Sequence, residues 1–244
     1  MPALDGSRIL VAGGAHRVGR ALSLDLAEGG ADVFVSYHSS VGPAEQTRAD
    51  IEALGRRSGV VRANAAEPAD MAAMVDAAAG TLGGLDVYVH CPSGGFEPHP
   101  PQDVDEALWD AAMDSTAKGF MFAAQAAHRV MKEGGGGVIV AVTDVAGLQP
   151  WPNFAPHAAA KAALAQLTRS LARAFAPGVR VCAVAPGPVL LPDDSDEAME
   201  ARHAARTTLG RLGSPADVVA AVAYLIEADY VTGEQLVVDG GHSL

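Results

Sequence analysis

The stretch "RILVAGGAHRVGRAL" (residues 8–22) decides the fold. It joins a short apolar run to a glycine-bearing turn, and the turn to an apolar-periodic segment. An apolar run of this length suits a strand buried on both faces, and the periodic segment suits a helix. Gly13 and Gly14 can make the tight turn, and Gly19 lets the helix pack close to the strand. A strand, a glycine turn and a helix in that order place orphan backbone amides and a positive helix end beside whatever lies above the strand. A plain strand–helix connection is the alternative. As the first unit of a larger repeating pattern, the stretch reads as a cradle for the pyrophosphate of a dinucleotide.

The pattern does repeat. Further β-like runs are "ADVFVSY" (31–37), "SGVVRA" (58–63), "LDVYVHC" (85–91), "GVIVAVT" (137–143), "VRVCAVAP" (179–186) and "EQLVVDG" (234–240), with Ala-rich helical stretches between them. Glycine or proline punctuates nearly every junction, and "GGGG" (134–137) reads as a helix stop and turn. Repeated strand–helix–strand units imply one α/β domain spanning 1–244, with a doubly wound, mostly parallel seven-stranded sheet. Ligands of such sheets sit at the carboxyl ends of the strands.

Composition narrows the partners. The chain has 244 residues, 49% hydrophobic, with Lys+Arg 17 against Asp+Glu 29 and a formal net charge of −12. Such a surface repels phosphate backbones, so nucleic acid is not expected as a partner. No run approaches the ~20 apolar residues that span a bilayer. The start "MPALDGSRILVAGG" lacks the charged and apolar regions of a secretory leader, so a cytoplasmic protein is expected. Cys91 and Cys182 read as buried free thiols at the ends of strands, and no metal-ligand spacing occurs.

The second strand ends in "YHSS", Tyr37 to Ser40. An acid there would hold a ribose 2′-hydroxyl, but none is present. Ser36, Tyr37, His38, Ser39 and Ser40, with Arg17 pointing the same way, suit a 2′-phosphate. NADP(H) is therefore the expected cofactor. Solvated surface roles for Arg17 and His38 are the bland alternative.

With "AGGAHRVG" (12–19), "LDVYVHCPSGG" (85–95), "KAALAQLTRSLA" (161–172), "VRVCAVAPGPVL" (179–190) and "YVTGEQLVVDGG" (230–241), the chain resembles the short-chain dehydrogenase/reductase family over essentially its whole length. Within it the chain looks most like the pteridine reductase branch. That branch carries an arginine in the glycine loop, as Arg17, a Y-H-x-S-like strand end, and an aspartate at the usual catalytic serine, as Asp144 in "VTDVAG". The resemblance implies a Rossmann fold and a cofactor site of Gly13, Arg17, Val18, Gly19, Tyr37, His38, Ser39, Ser40, Asn64, Ala65, Pro92, Ser93, Lys161, Pro186, Gly187 and Val189. It also implies a small-molecule substrate and a homotetramer packed through the fourth and fifth helices and the last strand.

The family's catalytic residues map onto Asp144, His157, Lys161 and Thr116. His157 stands where the tyrosine is expected, Thr116 where an asparagine is, and Cys182 replaces a further asparagine. Lys161 keeps the nicotinamide-ribose position, one helical turn after His157. Histidine is a competent general acid, but its ring ends roughly 2 Å short of a tyrosine hydroxyl, so a water relay or a deeper-seated substrate is expected. Asp144 could orient the histidine or donate the proton itself. Three readings stay open: an NADPH-dependent reductase of a carbonyl or imine in a planar, pterin-like substrate; a silent NADP(H)-binding protein; a non-redox acid–base enzyme. "PGPVLLPDDSDEAMEARHAARTTLGRLGSP" (186–215) reads as a lid, with "DDSDE" capping its helix, and Phe96 and Trp151 as flanks of the cleft or as core.

Overall fold

The computed structural model describes residues 4–92, 94, 96–191 and 195–244. Seven strands form one sheet: β1 (Arg8–Ala12), β2 (Asp32–Tyr37), β3 (Ser58–Arg62), β4 (Val87–His90), β5 (Gly137–Val142), β6 (Val179–Pro186) and β7 (Gln235–Val238). Their order is β3-β2-β1-β4-β5-β6-β7, and every pairing is parallel. Helices α1 (Arg17–Glu28), α2 (Val41–Ala53), α3 (Pro68–Leu82), α4 (Glu106–Met113), α5 (Gly119–Glu133), α6 (Ala155–Phe175), α7 (Glu197–Ala204) and α8 (Pro215–Glu227) make the crossovers.

Side chains alternate across a strand, so each apolar run feeds two cores. Ile9 and Val11 pack with Val33, Val35, Val87, Val89 and Val140 beneath Leu22, Leu26, Val218 and Leu225 of α1 and α8. Leu10 packs with Phe34, Tyr88, Ile139 and Val181 beneath Met74, Phe120 and Leu164 of α3, α5 and α6. This explains why the runs read as continuously apolar rather than alternating. Each fully buried Leu, Ile or Phe contributes about 1.5–3 kcal/mol relative to an exposed one.

The chain winds outward from β1 to β3, then returns to place β4 on the other side of β1. That reversal opens a crevice above the carboxyl ends of β1 and β4, the place where such sheets bind ligands. The ends of α4 and α5 are joined by a single π turn, Asp114–Lys118, so the long helix carries one extra residue in its winding at Thr116. The glycine run behaves as expected: Gly134 caps α5, and Gly135 and Gly136 take positive φ before β5. Cys182 lies within β6 opposite Val140, not at a strand end. Both thiols are unbonded.

Candidate active site

The glycine turn follows β1 directly. Gly13 has φ +70, and its N–H donates to Ser36 Oγ at 3.3 Å, while the Gly14 N–H donates to the Ser36 carbonyl at 3.2 Å. Ser36 is therefore a strut under the turn; its buried hydroxyl does not face a ligand. A Cβ on Gly19 would collide with the Gly13 carbonyl, and one on Gly14 would come within 2.6 Å of Ser23 Oγ. A Cβ on Gly13 would stand 3.3 Å from the Pro92 backbone nitrogen. Gly13 passes close to the chain after β4, and Gly14 and Gly19 leave no room for side chains where the turn meets α1. This cradle fits a dinucleotide backbone.

Arg17 begins α1 at φ +50, a strained value for a residue with a Cβ. Its guanidinium donates to the carbonyls of Leu190 at 2.7 Å and Leu191 at 3.4 Å, in the loop after β6. The expectation that it points toward the end of β2 is corrected: it bridges the glycine turn to the loop after β6. Asn64 also turns back on its own loop, its N–H donating to Asp70 and its Oδ1 accepting from Ala66. Ala65 lies where its carbonyl leaves room only for a glycine at position 119. Ser93 lies outside the described residues, as do Asp193 and Asp194 of the "DDSDE" run; Asp196 of that run caps α7 by accepting from the Met199 N–H at 2.7 Å.

Asp144 follows β5. Its Oδ1 accepts from the Ala146 N–H at 2.7 Å, which fixes the carboxylate, and its Oδ2 lies 3.4 Å from His157 Nε2. The imidazole side chain is 3% exposed and the carboxylate 24%, so Asp144 is the member of the pair that reaches the cleft. His157 Nδ1 is buried without a hydrogen-bond partner among the described residues. Phe96 closes over the ring edge-on, with centroids 4.9 Å apart, and itself stacks on Phe154 at 5.0 Å. Trp151 packs against both aromatics. Phe96 is 53% exposed, so this is a wall of the cleft and not core. Phe154 belongs to that wall and was not marked by the sequence reading.

Lys161 lies one turn beyond His157, buried, with Nζ donating to the Val142 carbonyl at 2.9 Å. Burial pulls its pKa below the usual lysine value, against the opposing pull of Asp144 and Cys91. Thr116 is buried within the π turn, and its hydroxyl has no partner among the described residues. Beneath it, His90 Nδ1 lies 2.6 Å from the Tyr88 hydroxyl. Burial and the Lys161 charge push the His90 pKa down to about 3. Burial likewise pushes the Cys91 thiol up to about 12. The structure thus brings Asp144, His157, Lys161 and Thr116 to one end of the sheet, above a layer of neutral buried groups.

The sequence matches the family described as "Enoyl-(Acyl carrier protein) reductase" over residues 13–243. The chain belongs to the short-chain dehydrogenase/reductase family. It is 34% identical to an L-rhamnose 1-dehydrogenase (NAD(P)(+)) of Sphingomonas sp., covering 99% of this chain and 98% of the relative. It is 33% identical to 3beta-hydroxysteroid dehydrogenase 1 of Eggerthella lenta, covering 99% and 95%. A short chain dehydrogenase from Burkholderia cenocepacia, solved in complex with NADP, superposes with a TM-score of 0.92 at 33% identity and covers 100% of both chains. The chain is thus an NAD(P)-dependent oxidoreductase of this family. Among the described residues no helix is long and apolar enough to cross a membrane.

Proposed function

We propose that this short-chain reductase uses NADPH to reduce a carbonyl or imine in a small planar substrate, a pterin-like ring being the leading candidate. The observation that carries the reading is the Asp144–His157 pair, 3.4 Å apart, beside Lys161 and beneath an aromatic wall. The aspartate in place of serine and Arg17 in the glycine loop are what align the chain with the pteridine reductase branch. Curated relatives named for rhamnose and a hydroxysteroid support a cyclic substrate in general terms. Phe96, Phe154 and Trp151 offer ring faces and edges suited to a flat heterocycle.

In this reading Gly13, Val18, Gly19, Pro92, Pro186, Gly187 and Val189 line the dinucleotide, Lys161 holds the nicotinamide ribose, and the turn Tyr37–Ser40 holds the adenosine ribose. The dinucleotide, when bound, supplies the hydride. The protein's own task is the proton. Asp144 is held by the Ala146 N–H with one oxygen and shares its other oxygen with His157. Asp144, as the exposed member, is the group that faces the substrate, and His157 sits behind it and orients its carboxylate, so the shortfall in imidazole reach is bridged by the carboxylate. The two free thiols, Cys182 buried and Cys91 partly so, suit a reducing compartment, and the reading places the protein in the cytoplasm as a homotetramer.

The test is direct. NADPH should raise the melting temperature more than NADH does, and NADPH absorbance should fall with at least one of a panel of pterins, quinones and ketones. Asp144→Asn should then lower kcat by about 10²-fold or more while leaving NADPH affinity intact. A larger shift with NADH would overturn the cofactor assignment. A wild type inert on the whole panel, with His157→Tyr gaining turnover, would make the protein a silent dinucleotide binder.

A further inference from the structure

The residue expected to read the 2′-phosphate, Arg17, is committed to the loop after β6, yet a different cation stands at the end of β2. Arg62 ends β3 directly opposite Tyr37 in the parallel register. Its Nε donates to the His38 carbonyl at 3.1 Å, and the Ala63 N–H donates to the Tyr37 carbonyl at 2.8 Å. The Arg62 side chain is thereby clasped against the Tyr37–His38 turn. Its two terminal nitrogens have no acceptor among the described residues, so four N–H donors face outward.

Three further features share this corner. Ser40 caps α2, but its hydroxyl makes no cap bond, and the first turn of α2 carries no acid. Ser39 and His38 are exposed and their side chains are unengaged. A Cβ added at Gly42 would meet nothing within 4 Å; in this first turn Val41 and Ala44 donate to the Ser39 and Ser40 carbonyls and Pro43 has no N–H, which leaves the Gly42 N–H beside the open space. No Asp or Glu occurs between Asp32 and Glu45, and Asp70, in the first turn of α3, is engaged by the Asn64 N–H at 2.9 Å. A planar guanidinium, two hydroxyls and the Gly42 N–H at the positive end of α2 match a phosphate monoester dianion.

We propose that Arg62, held by the His38 carbonyl, is the residue by which this protein distinguishes a 2′-phosphorylated adenosine ribose from an unphosphorylated one. The proposal rests on the NADPH reading and names its determinant. The sign of the charge, the fork of donors and the strand position all come from β3, an element that carries none of the residues expected from sequence to read that phosphate.

Isothermal titration of the full chain with adenosine 2′,5′-bisphosphate and with 5′-AMP isolates this corner from turnover. NADPH and NADH titrations by fluorescence repeat it with the whole cofactor. Arg62→Gln should weaken the 2′-phosphorylated ligands by about 10- to 100-fold and leave 5′-AMP and NADH unchanged. Arg62→Lys, which keeps the charge but not the fork, should recover part of the loss. Equal weakening of both ligand classes would mark Arg62 as a mere clasp of the turn, and no weakening would remove it from the site; either overturns the proposal and leaves the NADPH reading standing. A wild type that binds NADH and 5′-AMP more tightly would overturn both. Circular dichroism and melting curves of each variant separate misfolding from loss of the contact.

Discussion

His90 shows how a single side chain beneath a candidate active site ties stability to pH. A histidine fully inside the sheet, with its Nε2 unpartnered among the described residues, is tolerated only while neutral. Burial holds its folded-state pKa at about 3, below the ordinary imidazole value of about 6.5. Between those values the unfolded chain binds the extra proton and the folded one does not. Stability is therefore complete above about pH 6.5 and falls as the pH drops toward 3, at a slope of at most about 1.4 kcal/mol per pH unit. Urea unfolding between pH 7 and about 4.5, above the range in which paired carboxylates titrate, should show this loss in the wild type and a flatter profile in His90→Asn. Equal losses would show that the imidazole is not the acid-sensitive group. At the same scale, Asp144, His157 and Lys161 were singled out through the family resemblance, and the structure brings them to one end of the sheet. The sequence did not make the direction of Arg17 or the placement of Arg62 legible. Those depend on which neighbour a long side chain finds, and Leu190 lies 173 residues from Arg17.

Elements tell a different story, because their physics is local. Each strand was legible from apolar runs bounded by glycine or proline, and the differences are confined to ends: Leu85 and Asp86 precede β4, where Asp86 turns outward to pair with Arg8 at 2.6 Å. The π turn at Asp114–Lys118 was not legible, since an extra residue in a helix leaves no mark in a run already apolar on several sides. The turn after β1 is where local geometry and binding meet, and Gly19 is its test. A methyl group there would press on the Gly13 carbonyl, which is backbone and cannot rotate away. Gly19→Ala should cost about 1–3 kcal/mol, a fall of several degrees in melting temperature, and should abolish the thermal shift produced by NADPH. Wild-type melting and wild-type NADPH affinity in this variant would show that the α1–turn approach is looser than the structure has it.

At the scale of the whole molecule, several large apolar side chains lie exposed. Trp109 and Phe122 are 44% and 39% exposed on the long helix that runs through α4 and α5. Tyr224 on α8 and Val237 on β7 are 54% and 39% exposed on the other side of the fold. β7 also ends the sheet and leaves one edge without a neighbouring strand. The proposed homotetramer would cover these two sets of side chains in two different two-fold contacts. Sedimentation equilibrium at micromolar concentration should therefore return a mass of four 24.8 kDa chains. Phe122→Glu should break one contact and Val237→Lys the other, each leaving dimers, while the double substitution leaves monomers. Because Phe96, Asp144 and His157 belong to neither surface, the single variants should retain NADPH binding. A wild type that sediments as a monomer would mean that these side chains are merely scattered on the surface, as single exposed apolar residues often are.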